Sequence, residues 1–176
     1  MKLTLGEPKF LKESINIISE LVNDINMKVD SNGIQIIAMD PANVALIDFK
    51  LLSSAFTEYE VDQPLELSVS LENIKNILKR AKPTDGVIIS HEKGDNRLKI
   101  DLTGGSKRSF NIPLINLDAS EQRIPSLKFT SKVEMPSDQF DEAVEDVGII
   151  AESVALILND GKFYINSENN LSEAKV

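Results

Sequence analysis

The single histidine, His91, is the first residue to weigh for acid–base or metal chemistry. It closes a strand-like run beside Glu92 and a turn, with no partner spaced to orient it as a base or ligand, so it reads as a surface side chain. Asp40 and Asp48 are acids by type only; with His91 they would make a minimal hydrolase or metal site. Gly104-Gly105-Ser106-Lys107 has phosphate-loop residue types but lacks the Walker spacing and lies between strands, which makes it a hairpin turn. Asp138, Asp141, Glu142, Glu145 and Asp146 would suit a cation, yet they have no EF-hand spacing and read as a solvated helix face. There are no cysteines, hence no disulfide framework and no thiolate metal site. No enzyme, no metal and no cofactor is expected.

Two groups have binding chemistry instead. Lys75, Lys79, Arg80 and Lys82 lie on or just past a helical run, and Lys75 and Lys79 are four apart on one face. Lys9 and Lys12 sit on an earlier helix. They read either as ordinary charged helix faces or as a track for phosphates. No aromatic residue interleaves them, so a track would touch the backbone only and carry no sequence readout. The second group is apolar. Met39, Val44 and Leu46 flank the turn at Asp40-Pro41 and either converge into a surface socket or, with Ile124, belong to the core.

These residues need elements to hold them. Residues 1–5 form an edge strand, and Phe10, Leu11, Ile15, Ile18, Leu21 and Val22 recur at helical spacing behind Pro8. Strands follow at 27–29, 34–39 and 44–51, the last reading as buried from Val44 onward. Residues 66–69 alternate, Ser70 is a good N-cap, and Leu71, Ile74, Ile77, Leu78 and Ala81 make a second helical stripe stopped by Pro83. Three strands follow at 86–91, 98–102 and 109–114. The order strand, helix, three strands therefore repeats. A third copy starts after Pro125, with a strand at 129–135, a helix at 137–152 carrying Phe140, Ala143, Val144, Val147, Ile150 and Ala151, and strands at 154–158 and 162–166. The fold class is α+β. Residues 1–117 form a first domain, 118–128 a connector and 129–176 a second domain.

The net charge is −9, but residues 1–117 hold 14 basic and 16 acidic residues whereas 118–176 hold 5 and 12. An acidic chain can still present one basic face. No apolar run reaches membrane-span length and the N-terminus has no signal-peptide pattern, so no membrane partner is expected. The expected location is cytoplasmic in an archaeon, or nuclear in a eukaryote.

Ala38-Met39-Asp40-Pro41-Ala42-Asn43-Val44, followed by Leu46-Ile47-Asp48, resembles the first-domain signature of the proliferating cell nuclear antigen family, the DNA sliding clamps. Leu51–Phe56, Tyr59–Val61, Leu71–Ala81, Arg108–Ile115 and Arg123-Ile124-Pro125 follow in family order. The resemblance implies a DNA-clamp fold, with helices lining an inner channel and antiparallel sheets outside, and a subunit that encircles duplex DNA in a ring. It puts Lys12, Lys75, Lys79, Arg80 and Lys82 toward the duplex. It makes 118–128 the interdomain connecting loop. It assigns Met39, Val44, Leu46, Gln122, Arg123, Ile124 and Pro125 to a pocket for the PIP-box peptides of partners such as DNA polymerase, clamp loader, flap endonuclease and ligase. Subunit contacts would pair 108–114 of one chain, with Arg108, Phe110 and Ile112, against 171–176 of the next, with Leu171, Ala174 and Val176, in a homo- or heterotrimer.

Two departures stand out. The third helix has no Lys or Arg, which fits a heteromeric ring or a subunit whose partners hold the DNA. Family chains have four repeats and this sequence offers three, as expected of a truncated chain or a short clamp. The alternative is a stand-alone peptide-binding adaptor, or a regulatory clamp-like subunit, that does not encircle DNA.

Overall fold

Alternation of burial begins at once: Leu3 and Leu5 are buried along β1 (Lys2–Leu5), with Lys2 and Thr4 on the other face. This computed structural model describes residues 1–117, 124–169 and 171–176. The chain divides into two units, Met1–Pro125 and Ser126–Val176.

In the first unit Pro8 takes the N-cap position of α1 (Lys9–Ile18), whose buried side is Leu11, Ile15 and Ile18. Phe10 and Leu21, expected on that side, are exposed, Phe10 at 71%. At about 100° per residue they fall with exposed Ile17 on a separate stripe. Strands β2 (Asp24–Asp30), β3 (Gly33–Met39) and β4 (Leu46–Leu52) follow as antiparallel neighbours. A 3-10 turn at Ser53–Ala55 and the short β5 (Glu58–Glu60) lead to β6 (Leu65–Ser70). Ser70 occupies the N-cap of α2 (Leu71–Lys79), but its side chain makes no capping bond. After α2 come β7 (Gly86–Ser90), β8 (Arg97–Thr103) and β9 (Lys107–Pro113).

Two sheets result, in the orders β5-β1-β7-β8-β9 and β4-β3-β2-β6. Each repeat sends its first strand to the other. β1 pairs with β7, Leu5 opposite Val87, and β6 pairs with β2, Leu67 opposite Met27. The helices run antiparallel. The N–H of Leu71 donates to Asn23 O at 2.8 Å, and a groove joins Lys9 and Lys12 to Ala81 and Pro83. Leu11 and Ile15 meet Ile74, Leu78, Met27, Ile36, Val87 and Ile100 in one interior. This exchange locks the repeats into one core, because neither sheet is complete alone.

The second unit holds one repeat. Pro136 N-caps α3 (Ser137–Gly148), and β10 (Ala155–Asn159), β11 (Lys162–Glu168) and β12 (Glu173–Lys175) form a sheet in that order. Its small core is Ala143, Val147 and Ile165. The strand expected at 129–135 is absent: those residues are exposed and extend no sheet. Alternation alone makes no strand without an edge to bond to. The helix ends at Gly148, earlier than the expected 152. No helix among the described residues is long and apolar enough to cross a membrane.

Candidate functional site

The turn between β3 and β4 is built by one carboxylate. Asp40 Oδ1 accepts the N–H groups of Val44 and Ala45, each at 2.7 Å, and Oδ2 accepts that of Ala42 at 3.2 Å. The N–H of Asp40 in turn donates to Ala45 O at 3.0 Å, and Asn43 takes the left-handed conformation at φ 55°. These donors, that of Ala45 foremost, hold the Asp40 carboxyl below the usual carboxylate range. Asp40 is thus an organiser of backbone. A carboxylate that already accepts three N–H groups is poorly placed to act as a base.

The turn decides the fate of the apolar trio. On β3, Ile34, Ile36 and Ala38 face the core, so Met39 points to the opposite face. Leu46 lies directly across from Met39 on β4. Both are half-buried, and Val44 stands at the turn, 86% exposed. The buried strand expected from Val44 onward is corrected: β4 begins at Leu46, because Asp40 draws the N–H groups of Val44 and Ala45 into the loop. None of the trio is buried in the core. The result is an apolar strand–turn–strand patch on the outer face of a sheet edge. Ile124 and Pro125 are exposed at the end of the first unit, while Gln122 and Arg123 lie outside the described residues. The chain after β9 is anchored by Ile115 N–H donating to Ser68 O at 2.9 Å.

The basic candidates divide. Lys79 ends α2, Arg80 caps it and Lys82 follows; all three are exposed. The groove between Lys12 and Pro83 puts the start of α1 beside them. Lys75 is different: it is held by Glu20 at 3.0 Å. After Lys9, the exposed positions of α1 and of the turn that follows it, Phe10, Glu13, Ile17, Glu20 and Leu21, are apolar or acidic, so positive charge collects at one end of the helix pair. On α3, Asp138, Asp141, Glu142, Glu145 and Asp146 are all exposed, and the described residues contain no metal-holding cluster.

Asp85, missed in the sequence, organises the end of α2. It is buried, accepts the N–H of Lys82 at 3.0 Å and pairs with the Arg108 guanidinium, which also donates to Arg80 O at 3.0 Å. The Lys82 bond first, then Arg108, hold its carboxyl below the usual range. A side chain on Gly104 would clash with it, its Cβ 2.0 Å from Oδ1. A buried acid behind this glycine turn is a poor base for a phosphate site. His91 Nδ1 lies 3.1 Å from Arg97 O, a local strand-end contact.

Both candidate contact strands are sheet edges. On β9, Arg108, Phe110 and Ile112 lie opposite buried Leu102, Ile100 and Leu98, so their side chains face inward. What β9 offers outward is backbone. Leu114 N–H donates to Asn96 O at 2.8 Å in register with β9, so even-numbered N–H groups point to β8 and odd-numbered ones point outward. At the other edge, Leu171 and Val176 are exposed, and half-buried Ala174 packs against the small core.

Comparisons with known proteins agree on one relationship. The family model described as proliferating cell nuclear antigen, N-terminal domain, matches residues 1–122. The DNA polymerase sliding clamp of Pyrococcus furiosus is 35% identical over 169 residues, covering 96% of this chain and 67% of that protein. The DNA polymerase sliding clamp of Thermofilum pendens is 33% identical over 173 residues, covering 98% and 69%. The crystal structure of PCNA from Thermococcus kodakaraensis superposes with a TM-score of 0.90 at 25% identity, over 99% of this chain and 71% of that one. A PCNA2–PCNA3 complex from Sulfolobus tokodaii shares the fold, with a TM-score of 0.85 at 23% identity over 100% of this chain and 72% of that one. The chain belongs to the proliferating cell nuclear antigen family, the DNA sliding clamps.

Proposed function

We propose that the chain serves as one subunit of a ring that encircles duplex DNA and tethers replication and repair enzymes to it. The observation that carries this reading is the pair of open sheet edges, β9 in the first unit and β12 in the second. Joined head to tail between neighbours, they give a heterologous contact that closes when the rotation closes. No bond is made or broken. Topological linkage raises the effective concentration of the tethered enzyme at its template.

Lys12, Lys79, Arg80 and Lys82 would meet phosphates, with Lys75 contributing less because Glu20 neutralises it. The uniformly acidic α3 favours a ring in which other subunits supply the remaining positive lining. The patch of Met39, Val44 and Leu46, with Ile124, Pro125, Gln122 and Arg123 of the 118–128 connecting loop, would take the apolar anchors of PIP-box peptides from DNA polymerase, clamp loader, flap endonuclease and ligase. Such a protein works in the compartment that holds the genome, the cytoplasm in an archaeon.

Retention on DNA tests the proposal. Protein assembled on a nicked circular duplex is passed through a sizing column in high salt, before and after the circle is cut. Encirclement predicts co-elution with the circle and release on cutting. Equal behaviour on circle and line would overturn it.

A further inference from the structure

We infer that Asp85 and Arg108 are positioning residues for duplex binding: together with Gly104 they fix the loop after α2 that carries Arg80 and Lys82 to the phosphates. The inference rests on the duplex reading proposed above and names the residues that act behind it. Arg80 and Lys82 are exposed and follow the last turn of α2. The backbone that presents them is held from behind.

Asp85, only 2% exposed, accepts the N–H of Lys82 at 3.0 Å, and its own N–H returns to Lys82 O at 3.0 Å. These two bonds close residues 82–85 into a turn, in which Pro83 fixes one φ angle. The same carboxylate receives one arm of the Arg108 guanidinium, and the other arm donates to Arg80 O at 3.0 Å. Arg108 therefore spans from the cap of α2 to the turn, a reach that needs a planar fork of donors. Gly104, between β8 and β9, closes the back wall: a Cβ there would lie 2.0 Å from Asp85 Oδ1. The segment Gly104-Gly105-Ser106-Lys107, with the residue types of a phosphate loop, thus serves to admit this carboxylate.

Two arguments give the pair a binding role. A buried ion pair is a weak source of stability, since apolar side chains of similar shape often replace it at no cost. What it supplies is fixed geometry. A base on a loose loop surrenders part of its binding gain to the ordering of that loop, and a base on an ordered loop does not. The sign of the charge makes the second argument. Asp85 places a negative charge behind a basic cluster, which by Coulomb's law alone opposes a phosphate. Its place there is explained by the geometry it imposes on Arg80 and Lys82, not by its field.

That opposition of sign supplies the test. The full chain is titrated against a short labelled duplex in fluorescence anisotropy over a salt series, with melting temperatures recorded for every variant. Asp85→Asn keeps the size and an acceptor for the Lys82 N–H but removes the charge that holds Arg108. On charge alone it should bind duplex more tightly; as a positioning residue it should bind roughly fivefold more weakly. Arg108→Lys and Gly104→Ala leave the net charge unchanged, and both should weaken binding by a similar factor. They carry the test if Asp85→Asn folds poorly. Asp95→Asn makes the same charge change as Asp85→Asn on the exposed turn at the other end of β7 and β8, and it should not weaken binding. Wild-type or tighter affinity in Asp85→Asn or Arg108→Lys, with the fold intact, would overturn the inference and leave the duplex reading standing. Losses confined to variants whose melting temperature has collapsed would mark a purely structural pair and overturn it as well. A wild type without salt-sensitive duplex binding would remove the duplex reading itself, and this inference with it.

Discussion

Asp40 shows how one side chain turns a sequence pattern into a surface. Residues 44–47 have the composition of a buried strand, and Val44 would be its first member. Three N–H donors to one carboxylate instead hold Val44 out at 86% exposure. Because Val44 packs on little, Val44→Asp should leave stability within about 0.5 kcal/mol of wild type while weakening a labelled PIP-box peptide by at least about tenfold in fluorescence anisotropy. Unchanged affinity in this variant would remove the patch as the partner site. The loop should also respond to acid. The folded-state pKa of Asp40 is depressed, so its contribution is complete above the ordinary carboxylate value of about 4 and is lost as pH falls through the lower folded value. The amide resonances of Val44 and Ala45 should titrate together below about pH 4, and Asp40→Asn should abolish that shared transition. Titration of both amides at the ordinary value would mean that the bonds do not form in solution.

The elements were legible where their cause is local. The helical spacing of Leu11, Ile15 and Ile18, or of Ile74, Ile77 and Leu78, placed two helices. Turn residues such as Asn159-Asp160-Gly161 placed hairpins. What the sequence hid depends on distant partners. The crossing of β1 to β7 and of β6 to β2 joins segments tens of residues apart, and periodicity says nothing of who pairs with whom. Segment 129–135 alternates as well as β1 does but meets no edge. Of the candidate site, the strand–turn–strand that brings Met39 and Leu46 near each other was legible, though not its register; the Asp85–Arg108 pair was not, because those residues are 23 apart and meet only in the folded chain. The same division bears on the basic helix end. Lys79 and Arg80 are exposed beside one another, while Lys75 is tied to Glu20. Lys79→Glu with Arg80→Glu should lower duplex affinity at least about tenfold and flatten the salt dependence by about two phosphate contacts. Lys75→Ala should do much less. Equal losses in the two variants would place the duplex elsewhere on the helix pair.

For the whole molecule, the decisive property is which backbone remains unpaired. An open strand edge is a template for another chain, and proteins usually blunt such edges unless they use them. β9 is seven residues long, carries its apolar side chains inward and keeps a row of odd-numbered N–H groups outward. Its last member is already a proline on that outward register, so Pro113 marks where an incoming strand must stop. A second proline at Asn111 would remove another outward donor without touching the bonds to β8, because those come from even-numbered residues. Asn111→Pro should therefore keep the fold, seen as a circular dichroism spectrum and a melting temperature close to wild type. It should abolish head-to-tail assembly and, with it, salt-resistant retention on circular DNA. Affinity for a PIP-box peptide should persist, because the Met39–Leu46 patch lies on the other sheet. Assembly that survives this variant would show that the ring, if it forms, is not closed through β9. Loss of peptide binding together with assembly would show instead that the pocket needs a neighbouring subunit to complete it.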